Sequence, residues 1–301
     1  MKRIFSRVGL GITLFLAVQQ VLVIIISALL RAFAPEILET SWIMWVVLYV
    51  PLYFAGFPVL LLVFRGIPDS TGGYTEKKTY SALNIIAMFC ACLTITYLLN
   101  TFSTILSSMI AQLKGAEVTN SLAQVSTNSN PWLNLFMVAL VAPVMEEIVF
   151  RRLLYNKLIV FGGPVYILVS GLIFGLFHVN FYQLLYAFVL GVIFAAVTYY
   201  SGTIKYSVIL HVLLNFSANG IGVLIMSYGN LEVQTIYGYF IIISIAIGIG
   251  ALIWWGVKGR RTIEFAPAEV ALPSKGIIFA NPGMILFLVA MGTLIIVSVL
   301  A

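Results

Sequence analysis

The chain has 301 residues, of which 62% are hydrophobic and only 9% are charged. With a mean hydropathy of +1.10, it lacks the polar surface that a soluble domain of this length needs to cover its core. The net charge of +6 does not indicate nucleic-acid binding, because the basic residues are scattered between apolar runs, where membrane orientation explains them. Composition therefore excludes a soluble globular protein and indicates an integral membrane protein.

Apolar runs long enough to cross a bilayer recur along nearly the whole chain, with lengths that fit helices rather than barrel strands. The sequence predicts one integral membrane domain over residues 1–301, an all-α transmembrane bundle of eight to nine spans. The candidate segments are residues 8–30, 43–64, 80–110, 132–152, 164–178, 181–200, 204–227, 233–256 and 280–300. Residues 164–178 are too few for a full crossing, so this segment needs a separate explanation.

The distribution of positive charge predicts how the chain is oriented. With a cytoplasmic N-terminus and alternating spans, fourteen of the sixteen Lys and Arg residues lie on the cytoplasmic side, and only Arg31 and Lys114 lie outside. Such a bias is the positive-inside rule. We therefore expect a multi-pass protein with an outer C-terminus, in the plasma membrane if the chain is prokaryotic. The first apolar run is too long for a signal peptide, so an uncleaved span is expected. The two long loops, residues 111–131 and 257–279, carry no chemical motif.

Ionisable residues at membrane depth are costly and are therefore functional candidates. The two histidines of the chain, His178 and His211, both fall in apolar segments, and Glu146 and Glu147 fall in another. All four lie within a short stretch of sequence. An ion-coupled transporter would use them as a proton relay, but no internal repeat of the kind seen in inverted-repeat transporters is visible.

The two glutamates are expected to differ in role. Adjacent residues on a helix point about 100° apart, and Glu147 precedes Arg151 by four residues, which favours an ion pair. This leaves Glu146 as the carboxylate available for chemistry, although a charged helix end at the membrane interface is the plainer alternative. Pro143 has no backbone donor, which should free the carbonyl of Ala139 and bend the helix.

The histidines each have a partner one helical turn away. Phe174 precedes His178 by four residues and can pack against its imidazole, while a satisfied core histidine is the alternative. His211 and Asn215 share one helix face, and the carboxamide supplies uncharged N–H donors that suit an oxyanion. A hydrogen-bonded helix–helix contact is the alternative for that pair.

Gly171 and Gly175 lie four residues apart in the segment that ends at His178. Small residues at this spacing allow two membrane helices to approach closely. We therefore expect this segment to pack tightly against a neighbouring helix.

The motifs EExxxR, FxxxH and HxxxN follow one another in this order, from Glu146 to Asn215. The pattern resembles the type II CAAX prenyl endopeptidase family, also called the CPBP or Abi family of intramembrane metalloproteases. The resemblance covers residues 130–220, which is the expected protease core. Arg152 departs from the pattern, since the family usually has Gly after the motif arginine.

The resemblance implies a function and a set of catalytic residues. It implies an intramembrane endopeptidase in which Glu146, helped by His178, activates water, and His211 and Asn215 stabilise the oxyanion. Supporting roles fall to Glu147, Arg151 and Phe174. Expected partners are membrane lipids and a peptide or lipid-modified protein substrate, including prenylated C-terminal peptides. A non-catalytic immunity or scaffold protein on the same fold is the alternative from another class.

The name of the family raises the question of a metal. Glu146, His178 and His211 could form a zinc site with an open position. That site would use Glu146 as a ligand and leave Glu147, already paired with Arg151, as the base, and no HExxH motif is present. We therefore favour a mechanism without a metal or other cofactor, with zinc as the alternative.

Simple helix geometry conflicts with a shared site. At about 1.5 Å per residue, Glu146 and His211 lie about 9 and 10 Å from their cytoplasmic helix ends, but His178 lies about 21 Å from Pro164. We therefore expect the helix of residues 164–178 to begin deeper or to tilt. The turn at residues 178–182 should then remain within the protein and line a polar cavity.

Overall fold

The computed structural model describes residues 1–70, 77–115, 130–258, 265 and 268–300, and no strand occurs in these ranges. The expected all-α fold is therefore confirmed. Much of the two long loops, at residues 116–129, 259–264 and 266–267, lies outside the described residues.

Nine long helices account for most of the described chain. They are α1 (Lys2–Phe33), α2 (Ile43–Phe64), α3 (Ala82–Lys114), α4 (Pro131–Phe161), α5 (Gly163–Phe177), α6 (Phe181–Ser201), α7 (Lys205–Tyr228), α8 (Leu231–Lys258) and α9 (Pro282–Leu300). Two short helices, Pro35–Leu38 and Lys275–Phe279, lie in the connections. All the long helices except α5 are long and apolar enough to cross a membrane, which gives eight candidate spans. The helix boundaries extend the predicted segments by several residues, most at the N-terminus of α1 and the end of α4.

Helix α6 lies at the centre of the bundle and contributes to both hydrophobic clusters of the described core. One cluster joins it to α1, α2, α4, α5 and α9, and the other joins it to α3, α7 and α8. Its residues alternate between the two: Ala187 and Ala195 belong to the first, whereas Leu190 and Phe194 belong to the second. Apolar side chains therefore pack against α6 from two sides.

The short helix α5 packs closely against α6 through glycines, as the sequence predicted. A Cβ atom added to Gly171 would lie 2.5 Å from Val192 Cγ2, and one added to Gly175 would lie 2.9 Å from Phe188 Cβ. Gly191 faces back, where an added Cβ would lie 3.0 Å from Gly171 Cα. This close approach fixes the end of α5, which His178 directly follows, against the centre of the bundle.

Three of the long helices contain π-helical turns, which the sequence analysis did not predict. These turns are Leu52–Gly56 in α2, Met137–Val141 and Ile148–Leu153 in α4, and Phe216–Ile221 in α7. The two turns of α4 enclose the six-residue α-helical segment Ala142–Glu147, which carries both glutamates. Such turns are frequent at functional sites.

The glycine contact between α5 and α6 gives a first prediction. Gly171→Leu should lower the melting temperature of the purified protein in detergent, because overpacking a tight contact costs about 1–3 kcal/mol. Gly250→Leu is the matched control, since nothing lies within 4 Å of a Cβ added at Gly250 in α8. Equal melting temperatures for the two variants would contradict the close approach.

Candidate active site

The two adjacent glutamates occupy different environments. The Glu147 side chain is fully buried, and its Oε1 lies 3.1 Å from Arg151 Nη1, whose side chain is also fully buried. The Glu146 side chain is 22% exposed. The predicted ion pair is therefore confirmed, and the accessible carboxylate is that of Glu146.

Arg151 is surrounded by aromatic rings rather than by water. Its guanidinium carbon lies 4.3 Å from the ring centre of Phe174, 5.4 Å from that of Phe194 and 5.8 Å from that of Phe150. Arg151 Nη2 also donates a hydrogen bond of 3.3 Å to the carbonyl of Gly191 in α6. A cation over aromatic faces is stabilised most when water is excluded, so this cage holds the positive charge that balances Glu147.

His211 connects the two glutamates. Its Nδ1 lies 3.0 Å from Glu147 Oε1, and its Nε2 lies 3.7 Å from Glu146 Oε2. Because a carboxylate only accepts hydrogen bonds, Nδ1 carries the proton and donates to Glu147. The charged groups thus form one row, Arg151–Glu147–His211–Glu146. The contact between His211 and Glu147 was not predicted, since residues so distant in sequence give no spacing signal.

His178 follows the last residue of α5 and is oriented by its own backbone. Its Nδ1 lies 2.8 Å from the Phe174 carbonyl oxygen, so this nitrogen is the donor and Nε2 of the neutral ring has a free lone pair. The next residue, Val179, has a φ of 48°, which is unfavourable for a β-branched residue. Strain of this kind costs of order 1–3 kcal/mol and is found where the surrounding structure imposes a conformation.

The Phe174 ring brings the two histidines into one cluster. Its centre lies 4.8 Å from the His178 ring and 5.7 Å from the His211 ring, edge to face in both cases. His178 is also close enough to Glu146 to interact with it electrostatically. Residues 178–182 are half-buried in the protein, while their depth in a bilayer stays a prediction.

Asn215 lies one turn beyond His211 and contacts α4. Its Nδ2 donates a hydrogen bond of 3.1 Å to the carbonyl of Val138. In this π turn the Ala142 N–H donates to the carbonyl of Met137, five residues earlier. Pro143, the next residue, has no N–H to give to Val138. The carbonyl that Asn215 binds is that of Val138, one residue before the Ala139 carbonyl that an α-helical register predicts, because the preceding turn is π-helical.

Three tyrosines near Glu146 were not predicted. Tyr49 and Tyr53 of α2, and Tyr186 of α6, are close enough to the Glu146 carboxylate to interact with it electrostatically. Trp45, Tyr49 and Tyr53 also form a ladder with successive ring centres 5.7 and 5.5 Å apart. Their four-residue spacing predicts one aromatic face on the helix. The spacing does not predict that this face lies near Glu146.

The zinc alternative requires three ligands that converge on one point. Within the described ranges, no group of three His, Cys, Asp or Glu side chains has an arrangement that could hold a metal ion. His211 directs Nδ1 at Glu147 and keeps Nε2 within 3.7 Å of Glu146. In this arrangement Glu146, His178 and His211 do not fit a zinc site.

The buried pair gives a second prediction. Glu147→Gln should destabilise the protein by about 3–5 kcal/mol, because it leaves the charge of Arg151 buried without a partner. Arg152→Gln is the matched control, since the neighbouring Arg152 is exposed and should change little. The double variant Glu147→Gln/Arg151→Met should recover part of the loss. Chemical denaturation in detergent measures all three, and equal stability of Glu147→Gln and Arg152→Gln would refute the structural role of the pair.

Comparison with known proteins places the site within a recognised family region. Residues 128–217 match the family model described as Type II CAAX prenyl endopeptidase Rce1-like. No curated protein and no solved structure matched the chain. The matched stretch contains the three motifs from Glu146 to Asn215, so the resemblance found in the sequence is confirmed. Residues 128–217 of this multi-pass membrane protein are therefore similar to the type II CAAX prenyl endopeptidase, Rce1-like family.

Proposed function

We propose that this protein is an intramembrane endopeptidase in which Glu146 activates the water that attacks a peptide carbonyl. The observation that carries this proposal is the contrast between the two glutamates. Glu147 is buried against Arg151, whereas Glu146 is partly exposed beside His211. A carboxylate kept out of the structural pair and partly exposed can act as a general base.

His178 would help Glu146 to position and activate the attacking water. Its Nδ1 is held by the Phe174 carbonyl, which leaves the Nε2 lone pair to accept a hydrogen bond from the attacking water. Glu146 takes the proton as the water oxygen bonds to the carbonyl carbon. The same proton can then pass to the leaving nitrogen as the peptide bond breaks.

His211 and Asn215 would stabilise the negative charge that develops on the carbonyl oxygen of the substrate. When Nε2 of His211 carries a proton, the ring donates from both nitrogens, and Glu147 at 3.0 Å and Glu146 at 3.7 Å balance its charge. Asn215 uses one N–H for Val138 and retains a second. Donors placed before the reaction and aimed at a developing oxyanion are effective because they need no reorganisation.

The substrate we propose is a membrane-associated peptide, with prenylated CAAX-type C-termini as the class that the family favours. The aromatic face of Tyr49 and Tyr53 would border its path to Glu146. The family includes non-catalytic members, so an immunity or scaffold role is the competing function. An ion-coupled transporter would use the same charged row as a proton relay.

Replacement of Glu146 tests this proposal. Glu146→Gln keeps the shape of the side chain and should lower peptide hydrolysis by about 10²-fold or more, because a general base is lost. Glu39→Gln, at an exposed glutamate, should cleave like the wild type, and both variants should keep the wild-type melting temperature. The assay is a peptide-cleavage screen on purified protein. Normal cleavage by Glu146→Gln would refute the assignment, whereas substrate flux in proteoliposomes without cleavage would support a transporter.

Metal removal is a separate test. We expect protein treated with a chelator and then dialysed to retain its activity, because Glu146 cannot be both a metal ligand and the free base. Loss of cleavage that zinc restores would show that the zinc arrangement of Glu146, His178 and His211 forms during turnover. Elemental analysis of the treated protein provides the control that metal was removed.

A further inference from the structure

A cavity that Glu146 does not line lies between the start of α3, the middle of α6 and the end of α8. Its volume is about 670 Å³, within the range of about 300–1,000 Å³ usual for ligand sites. None of the proposed catalytic or supporting residues lines it. Its contents and its role must therefore be considered separately from peptide hydrolysis.

The cavity is polar at one end and apolar along its depth. Lys78, Thr79 and Asn84 line the polar end, and Met88, Cys92 and Leu252 line the remainder. Met88 and Cys92 are buried in the second hydrophobic cluster. A ligand that fits this lining has a polar head and a long apolar portion, and the apolar walls offer few hydrogen-bonding groups to a peptide or sugar.

The described residues at the polar end carry positive charge. Lys78 Nζ lies 4.9 Å from the ring centre of Tyr200, and no carboxylate pairs with it among the described residues. Among the described residues, no Asp or Glu lines the cavity. Lys205 and Lys258 lie at the neighbouring ends of α7 and α8, the side that the sequence assigns to the cytoplasm. Lysines at this level attract anionic headgroups.

We propose that this cavity binds one anionic glycerophospholipid of the surrounding leaflet. Its phosphate contacts Lys78, and one acyl chain lies along Met88, Cys92 and Leu252. Trp255, which lines the cavity, suits the boundary between headgroup and acyl chain, where tryptophan is enriched. The lipid occupies the contact between α3, α6 and α8 and acts as a bound structural ligand.

Tryptophan fluorescence tests the proposal directly. A variant that keeps only Trp255 is prepared by replacing Trp42, Trp45, Trp132 and Trp254 with Phe, then reconstituted in phosphatidylcholine vesicles. Brominated acyl chains quench at contact, so brominated phosphatidylglycerol should quench Trp255 at lower mole fraction than brominated phosphatidylcholine. A single lysine beside an anionic lipid corresponds to about a fivefold preference. A variant that keeps only Trp132, which is 67% exposed and does not line the cavity, should show no preference.

Lysine variants distinguish a bound lipid from general attraction to the basic side of the protein. Lys78→Gln should abolish the preference at Trp255, whereas Lys275→Gln, which removes the same charge at an exposed position, should leave it intact. Equal quenching by the two brominated lipids, or equal loss in the two lysine variants, would overturn the proposal. If the single-tryptophan variants do not fold, the difference in quenching between the wild type and Trp255→Phe gives the same measurement. None of these outcomes depends on peptide hydrolysis.

Discussion

The burial of Arg151 is the constraint on which the rest of the site depends. A guanidinium removed from water is stable only when a counter-charge and hydrogen-bond acceptors surround it. Here Glu147 supplies the charge and Gly191 supplies an acceptor, while the guanidinium carbon lies over the rings of Phe174 and Phe194. These groups come from α4, α5 and α6, and His211 of α7 joins them through Glu147. One buried charge thus fixes the relative positions of four helices.

The π turns make this arrangement possible because they rotate short helical segments without breaking the helix. Each turn alters the backbone hydrogen-bond register, and side chains from other helices reach into three of the four turns. The Asn215 side chain donates to Val138, Ser170 to Phe150, Asn134 to Asn219 and Tyr237 to Ser217. In a membrane, a backbone carbonyl without a donor costs several kcal/mol. These polar side chains therefore hold the irregular helices in register.

Much of the fold could be predicted from the sequence because membrane helices follow apolar length, and that signal is strong. The Glu147–Arg151 pair and the glycine face of α5 were also predictable, since both depend on spacing within one helix. The contact between His211 and Glu147, and the approach of Tyr49 and Tyr53 to Glu146, depend on packing between helices. The π turns have no residue pattern of their own. Pro143 was recognised as a perturbation, but its effect on Val138 required the actual hydrogen-bond register.

The hydrogen bond between Asn215 and Val138 links two positions that are distant in sequence. Pro143 removes the helical donor, and Asn215 replaces it across the interface between α4 and α7. A substitution of Asn215 alone leaves a carbonyl unsatisfied in an apolar medium, and a substitution of Pro143 alone supplies a competing donor that releases the carboxamide. Over evolutionary time, lineages that retain one of these residues should therefore retain the other, and drift at either position should be paired rather than independent.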